Sequence, residues 1–268
     1  MPTKRSAAVS GSFYPADPIQ LARDVRQLLD RARPYALTPK ALIAPHAGYI
    51  YSGAIAAEAY ATLSAVATTV HRVILLGPTH RVAVRGLVLP GVDSFETPLG
   101  IVRIDPVSIN AIGHLEQVTV NSYAHVQEHS LEVQLPFLQT MLTDFTLLPL
   151  AVGMATAAEV SEVLDAVWGG DETLIVISSD LSHYQPYSIA KQIDYQTVQS
   201  ILNLQLPISH ESACGATPIS GLITAAKSHH LIPKLLDLRN SGDTAGNRDQ
   251  VVGYASIAFV EEHADVSH

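Results

Sequence analysis

The sequence predicts an α/β protein in which helices cover both faces of a β-sheet. Short apolar runs, typical of buried strands, alternate with segments of helical spacing through most of the 268 residues. Hydrophobic residues make up 47% and charged residues 15%, which fits a compact enzyme-like body and argues against a disordered or coiled-coil chain. No linker, repeat or low-complexity tract divides the chain, so residues 1–268 are predicted to form one domain.

The first elements show this alternation clearly. Asp17 and Pro18 are a cap and a first-turn residue, and apolar residues at helical spacing then predict a helix to about Arg31. Residues 41–44 predict a buried strand that ends in Pro-His-Ala-Gly, followed by an alanine-rich helix over 53–63. A second strand over 72–76 ends in Gly-Pro-Thr-His.

The later elements follow the same pattern, and each apolar run is read by its length and its flanking residues. Strands are predicted near 86–89, 101–104, 145–152, 173–177 and 251–260. Helices are predicted near 106–115, 130–142, 157–168, 188–203 and 218–228.

Charge and cysteine usage limit the classes of partner and the compartment. A formal net charge of -9 gives no electrostatic reason to expect nucleic acid or an anionic membrane surface, which leaves small molecules and proteins. The single cysteine, Cys214, cannot form an internal disulfide, so no oxidising compartment is needed. With no secretory signal and no apolar run of roughly 18 to 20 residues, the sequence predicts a cytoplasmic protein.

Three predicted strands each have a histidine just beyond their end: His46, His80 and His183. Side chains that follow the carboxyl ends of strands in an open α/β sheet converge on one crevice, so these imidazoles are expected to meet. Imidazoles with an anionic partner suit iron, copper, nickel or zinc, and Cys214 or Asp180 could supply the charge. The alternative for any one of them is a loop histidine bonded to the backbone.

Cys214 stands before Gly215, at the mouth of a helix that Pro218 is expected to open. A helix N-terminus and a nearby metal both favour the thiolate, so ligation or nucleophilic reactivity is predicted there. The alternative is a small buried residue beside a glycine turn.

Two further groups of residues could take part in chemistry. Asp180 and His183 lie three residues apart and, if the segment turns helically, share one face, where the carboxylate could orient the imidazole as a general acid or base. Asp180 could instead cap the turn while His183 is exposed. A second group, His125, His129 and Glu132, could support the site from behind, although Glu132 also fits a helix cap.

Several common motifs are missing. The sequence has no Gly-x-Ser-x-Gly elbow, no Gly-x-Gly-x-x-Gly fingerprint and no Walker lysine loop, which removes sequence support for a serine hydrolase or a nucleotide-binding protein. Of the chemistries considered, a metal-dependent one remains.

Six ordered motifs resemble the Memo-like family, also labelled protein B of the AmmeMemoRadiSam system. They are Gly11-Ser12-Phe13-Tyr14-Pro15, Ala44-Pro45-His46-Ala47-Gly48-Tyr49, Leu76-Gly77-Pro78-Thr79-His80, Glu128-His129-Ser130 with Glu132 and Leu135-Pro136, Ser178-Ser179-Asp180-Leu181-Ser182-His183, and Cys214-Gly215 with Pro218-Ile219. The resemblance implies a three-layer α/β/α sandwich with a largely parallel or mixed central sheet, related to the class III extradiol dioxygenases, which are non-haem Fe(II) enzymes.

Carried onto this sequence, the resemblance places one transition-metal ion on His46, His80 and Cys214. Fe(II) is the favoured ion, with copper or zinc as alternatives, because thiolate in place of carboxylate favours softer metals. His183, Asp180 and His129 are then expected to line the pocket as catalytic residues. Ala216 and Thr217 replace larger basic residues of some animal relatives, which implies different ligand recognition.

These residues lead to three functional hypotheses. The first is a non-haem iron or copper redox enzyme that acts on an unknown small molecule. The second is an adaptor that binds a peptide or protein in the same pocket without catalysis, and the family label implies a radical-SAM protein as partner. The third is a zinc-dependent hydrolase.

Overall fold

The computed structural model describes residues 3–261 and has an α/β architecture. The strands are Lys4–Arg5 (β1), Pro39–Ala44 (β2), Arg72–Pro78 (β3), Leu87–Leu89 (β4), Ser94–Thr97 (β5), Gly100–Ile104 (β6), Val118–Val120 (β7), Thr146–Val152 (β8), Thr173–Ser178 (β9), His183–Gln185 (β10), Leu231–Asn240 (β11) and Val251–Glu261 (β12). The helices are Pro18–Arg31 (α1), Ala54–Ala61 (α2), Pro106–Ile112 (α3), Ser122–Val126 (α4), Leu135–Met141 (α5), Ala157–Ala166 (α6), Tyr187–Leu202 (α7) and Ala216–Ser228 (α8).

The strands form one mixed sheet. Its order is β1-β5-β6-β8-β3-β9-β2-β12-β10, with β11 paired to β12 and β4 paired to both β7 and β8. The central strands β8, β3, β9 and β2 are parallel, whereas β12 runs antiparallel to β2. Central parallel strands are buried on both faces, which explains why they are apolar throughout their length.

Helices cover both faces of this sheet. Successive residues of a strand point to opposite faces. In β2, Leu42 and Ala44 therefore pack with α1, α2 and α5, while Ala41 and Ile43 pack with α3, α6, α7 and α8. The predicted three-layer α/β/α sandwich is confirmed.

The structure corrects some of the predicted elements. Strand β11 was missed because only part of it is buried and its sequence carries Pro233, Lys234, Asp237 and Arg239. The predicted helix over 130–142 is a 3-10 turn, Glu132–Gln134, followed by α5. Pro218 does not open α8, which begins at Ala216, because proline is tolerated throughout the first turn of a helix.

Strand order determines where the functional residues meet. Strand β9 pairs in parallel with β3 on one side and β2 on the other, so the carboxyl ends of these three strands lie next to each other. We call this the site edge, and the amino ends of the same strands the opposite edge. Within residues 3–261, no helix combines the length and apolar character needed to span a membrane.

Candidate metal centre

Three imidazoles converge at the site edge. His46, His80 and His129 each offer a ligand atom, and these atoms all lie within 4.8 Å of one another. The ring centroids are 5.2 Å apart for His46 and His80, 5.4 Å for His46 and His129, and 4.6 Å for His80 and His129. Such a cluster of imidazole nitrogens is suited to one metal ion.

His46 lies two residues beyond β2 and is buried. Its Nδ1 lies 2.8 Å from the hydroxyl oxygen of Ser178, the last residue of β9. Its Nε2 lies 3.4 Å from the sulfur of Cys214. Burial, reinforced by the nearby imidazoles of His80 and His129, holds the pKa of His46 well below its usual range, which keeps the ring neutral.

His80 follows β3 and is held by Glu128. The Glu128 carboxylate accepts hydrogen bonds from the backbone N–H of His80 at 2.6 Å and from its Nδ1 at 2.9 Å. Burial would raise the pKa of Glu128, but the hydrogen bonds from His80 and the backbone lower it to about 2. An ionised carboxylate that accepts from Nδ1 leaves Nε2 of His80 free as a ligand, the usual outer support of a metal-bound histidine.

His129 follows Glu128 directly and is partly buried. Its ring packs 4.8 Å from the ring of Phe13, measured between centroids, and its Nδ1 lies 3.4 Å from the Glu128 carboxylate. Burial lowers the pKa of His129 to about 4, so this ring is also neutral at pH 7.

Cys214 lies in the loop before α8 and contacts His46, but it is not one of the three residues whose ligand atoms lie within 4.8 Å of one another. Its sulfur accepts a hydrogen bond from the backbone N–H of Asp180 at 3.3 Å. Burial, and then the charge of Asp180, raises the pKa of the Cys214 thiol to about 12, so the helix N-terminus by itself does not produce the expected thiolate. Gly215 explains the Cys-Gly pair, because a Cβ there would lie 2.6 Å from the Cβ of Ser179.

The spacing of Cys214 and His46 fits a shared metal ion. Bonds of about 2.0 Å to nitrogen and about 2.3 Å to sulfur, at a tetrahedral angle, place two donor atoms about 3.5 Å apart. The observed distance between Nε2 of His46 and the sulfur is 3.4 Å. A bound cation would also favour the thiolate, since a metal lowers the pKa of a cysteine ligand.

Asp180 and His183 lie beside the cluster but do not bond to each other as the helical-turn hypothesis expected. The Asp180 carboxylate accepts from the backbone N–H of His46 at 2.7 Å, and burial raises its pKa to about 7. His183 begins β10 and pairs with Val252, so residues 180–183 do not form a helical turn. Burial lowers the pKa of His183.

A cavity of about 580 Å³ opens next to the cluster. Asp180, His183 and His129 line it, together with the aromatic residues Phe13, Tyr51, Tyr184 and Tyr254. The polar side chains of Ser241, Asn247 and Gln250 complete much of the wall. A space of this volume suits a small molecule or a short peptide segment.

Several residues of the site were missed or misread from sequence. Glu128 and Ser178 stand inside the quoted motifs, but only the fold shows that they contact His80 and His46. Glu132 neither caps a helix nor supports the metal cluster, because its buried carboxylate binds Arg5 at 2.5 Å and the Tyr14 hydroxyl at 2.5 Å. His125 is also buried, with Nε2 2.7 Å from the carbonyl of Val88.

Comparisons with known proteins agree with the motifs. The chain is 37% identical to a "MEMO1 family protein" of Methanosarcina barkeri, which covers 94% of this chain and 98% of the relative. It is 35% identical to a "MEMO1 family protein" of Aquifex aeolicus, covering 96% of this chain and 99% of the relative.

A solved structure shares the fold at much lower sequence identity. The crystal structure of an uncharacterized protein from Escherichia coli K12 superposes with a TM-score of 0.51 at 15% identity, over 81% of this chain and 98% of that one. The sequence profile of the Memo-like protein family matches residues 5–258, nearly the whole chain. With this match, and with relatives that align along their full length, the chain belongs to the Memo-like family.

Proposed function

We propose that this protein is a metal-dependent redox enzyme that acts on a small molecule in the cavity beside the three imidazoles. The observation that carries the proposal is the convergence of His46, His80 and His129 within 4.8 Å. The resemblance to non-haem iron enzymes favours Fe(II), with copper as the alternative. Bound there, such an ion supplies the redox chemistry with oxygen or substrate that no side chain of the site supplies.

His46, His80 and Cys214 are the proposed ligands. The spacing of His46 and Cys214 supports a shared ion. The contact between the Glu128 carboxylate and Nδ1 of His80 supports His80 as the second imidazole ligand. Two imidazoles and one anionic ligand leave coordination positions open, as in non-haem iron oxygenases, whereas a closed shell is typical of a structural zinc site. His129 belongs to the same cluster and also lines the cavity, so it can complete the shell or face the substrate.

Asp180 and His183 are the proposed proton-handling residues. Both line the cavity, and burial raises the pKa of Asp180 to about 7, so its carboxyl can hold or release a proton near neutrality. Burial lowers the pKa of His183, so its ring is neutral and can accept a proton from a substrate hydroxyl or amine. The aromatic rings of Phe13, Tyr51 and Tyr254 offer a face to a planar or apolar substrate and exclude water.

The test is oxygen consumption by the reconstituted protein. Untagged protein is loaded anaerobically with Fe(II) or Cu(I), mixed with air-saturated buffer, and followed with an oxygen electrode over a panel of catechols and small metabolites. We expect substrate-dependent uptake by wild type that is lost in His46→Ala and reduced in His183→Gln. Arg72→Ala, which changes a residue at the opposite edge, is the control for handling and metal carry-over.

Other outcomes separate the remaining hypotheses. Turnover with Zn(II) in the absence of oxygen would replace the redox proposal with hydrolysis. A radical-SAM protein or a peptide that binds equally well to wild type and to a His46, His80 and Cys214 triple variant would support an adaptor and contradict the enzyme. No uptake above the His46→Ala background across the panel also counts against the redox enzyme.

A further inference from the structure

The buried side chains behind His46 form a hydrogen-bonded chain that does not touch the cavity. Ser178 and Gln134 are both buried, as are the aromatic rings around them. The Gln134 amide nitrogen lies 2.7 Å from the Ser178 hydroxyl oxygen and 3.0 Å from the carbonyl of Pro45. The Gln134 amide oxygen accepts from the Tyr60 hydroxyl at 2.7 Å.

The orientation of the Gln134 amide follows from these partners. The Pro45 carbonyl can only accept a hydrogen bond, so the Gln134 atom that faces it must be the nitrogen. The amide oxygen is then turned to Tyr60, whose hydroxyl donates to it. Gln134 therefore donates a hydrogen bond to Ser178.

The Ser178 hydroxyl has a single proton, and one neighbour requires it. The carbonyl of Ser130 lies 2.6 Å from the Ser178 oxygen and can only accept. The hydroxyl proton therefore goes to Ser130, while Gln134 fills one lone pair of the oxygen. The Ser178 oxygen, 2.8 Å from His46 Nδ1, can therefore only accept a hydrogen bond from the ring, so Nδ1 must carry a proton.

We propose that Ser178, oriented by Gln134 and the Ser130 carbonyl, is a positioning residue that fixes His46 as the Nδ1–H tautomer. The lone pair of the neutral ring then lies on Nε2, the atom 3.4 Å from the Cys214 sulfur. Neither Ser178 nor Gln134 touches the cavity, so their effect on a metal or substrate passes through His46. The consequence for metal binding rests on the proposed function, whereas the tautomer is a property of the metal-free protein.

Ser130 connects this chain to the support of the second imidazole. Its carbonyl accepts from Ser178, and its backbone N–H donates to the Glu128 carboxylate at 3.0 Å, which in turn accepts from His80 Nδ1. The close approach of Ser130 to β3 requires Gly77, because a Cβ there would lie 2.8 Å from the Ser130 hydroxyl. The hydroxyl of Ser178 thus contacts His46 and the carboxylate of Glu128 contacts His80, and Ser130 hydrogen-bonds to both.

The test is the tautomer of His46 in the metal-free protein, read from a long-range proton–nitrogen correlation spectrum and assigned with His46→Gln. We expect protonated Nδ1 and unprotonated Nε2 in wild type. Ser178→Ala removes the acceptor, so the population should move toward Nε2–H and metal affinity, measured by competition with a chromophoric chelator, should fall about 10- to 100-fold. Ser108→Ala, which deletes a buried serine hydroxyl beside Asp105, should leave both readouts unchanged.

Two results would overturn the proposal: Nε2–H as the main tautomer in wild type, or a folded Ser178→Ala protein with wild-type tautomer and affinity. If Ser178→Ala does not fold, Ser178→Cys replaces the hydroxyl oxygen with a weaker acceptor, so we expect a smaller shift in the same direction, with an unchanged tautomer as the contradicting result. If wild type binds no metal but shows the Ser178-dependent tautomer, the positioning role stands and the proposed function fails.

Discussion

Polar side chains at the two ends of β2, β3 and β9 differ in what they contact. At the opposite edge, Arg72 pairs with Asp105 at 2.8 Å and with Glu172 at 3.2 Å. Lys40 donates to the carbonyls of Trp168 and Gly170, both at 2.7 Å. Charges and hydrogen-bonding groups are thus satisfied inside the protein.

At the site edge, by contrast, two of the three imidazoles have one ring nitrogen in a protein contact, and ligand atoms of all three converge. His46 and His80 each use Nδ1 for a protein contact. Ligand atoms of both rings lie within 4.8 Å of each other and of a ligand atom of His129. The difference teaches how a binding site differs from a purely structural strand end. At the site edge, ligand atoms of three imidazoles converge on one another, which indicates a ligand. At the opposite edge, the charged groups pair with each other or with backbone carbonyls.

The largest expected effect is the loss of a proposed ligand. His46→Ala or His80→Ala should lower metal affinity by more than about 100-fold, since removal of an outer partner alone costs about 10- to 100-fold. Arg72→Ala should bind metal like wild type. Equal metal affinity of all three variants in calorimetric titration would contradict the assignment of metal binding to the site edge.

Next in size is the change at Glu128. Glu128→Gln keeps an acceptor but removes the negative charge that His80 Nδ1 and three backbone N–H groups contact, so we expect metal affinity to fall about 10-fold or more. Glu172→Gln is the matched carboxylate change at the opposite edge. A loss of affinity in that control as large as in Glu128→Gln would show that the effect is not local.

At the opposite edge, a change should affect stability and not metal binding. Asp105 caps α3 by accepting from the Val107 N–H, and it pairs with Arg72, so Asp105→Ala should lower the free energy of unfolding by about 1–2 kcal/mol. Urea denaturation measures this loss, and chelator competition should give the wild-type metal affinity. A folded Asp105→Ala protein with weakened metal binding would contradict the separation of roles.

The smallest effect concerns His125, a histidine whose ring is bonded to a backbone carbonyl. Burial lowers its pKa to about 4, whereas the unfolded chain titrates near the usual value of about 6.5. Between these values the unfolded state binds more protons, so stability is present above about pH 6.5 and is lost as pH falls toward 4.

The loss attributable to His125 should reach about 1.2 kcal/mol at about pH 5.5, relative to neutral pH. We expect His125→Gln to lack this part of the pH dependence in denaturation curves collected between these values. Identical slopes for wild type and variant would show that the His125 ring does not titrate as its burial implies.

Much of the fold could be predicted from sequence because the central strands are apolar on both faces and end at clear Gly, Pro and His signals. The positions of His46 and His80 just beyond two strand ends followed from the same reading. Strand β11 could not be predicted, because half-buried antiparallel strands carry polar residues that depend on their partner.

The residues that hydrogen-bond to the two imidazoles also could not be predicted from the sequence. Glu128 and His80 are 48 residues apart, and Ser178 and His46 are 132 apart, so nothing local relates them. The expected Asp180–His183 turn was wrong because pairing of His183 with β12 draws that segment into a strand. Which residues meet at a strand end depends on strand order, which periodicity does not specify.

The most direct measurement is X-ray absorption of untagged protein loaded with Fe(II). We expect imidazole nitrogens together with one sulfur at about 2.3 Å, and loss of the sulfur contribution in Cys214→Ser. A wild-type spectrum of oxygen ligands alone, or a metal retained unchanged in the His46 and His80 double alanine variant, would contradict a metal centre at the site edge.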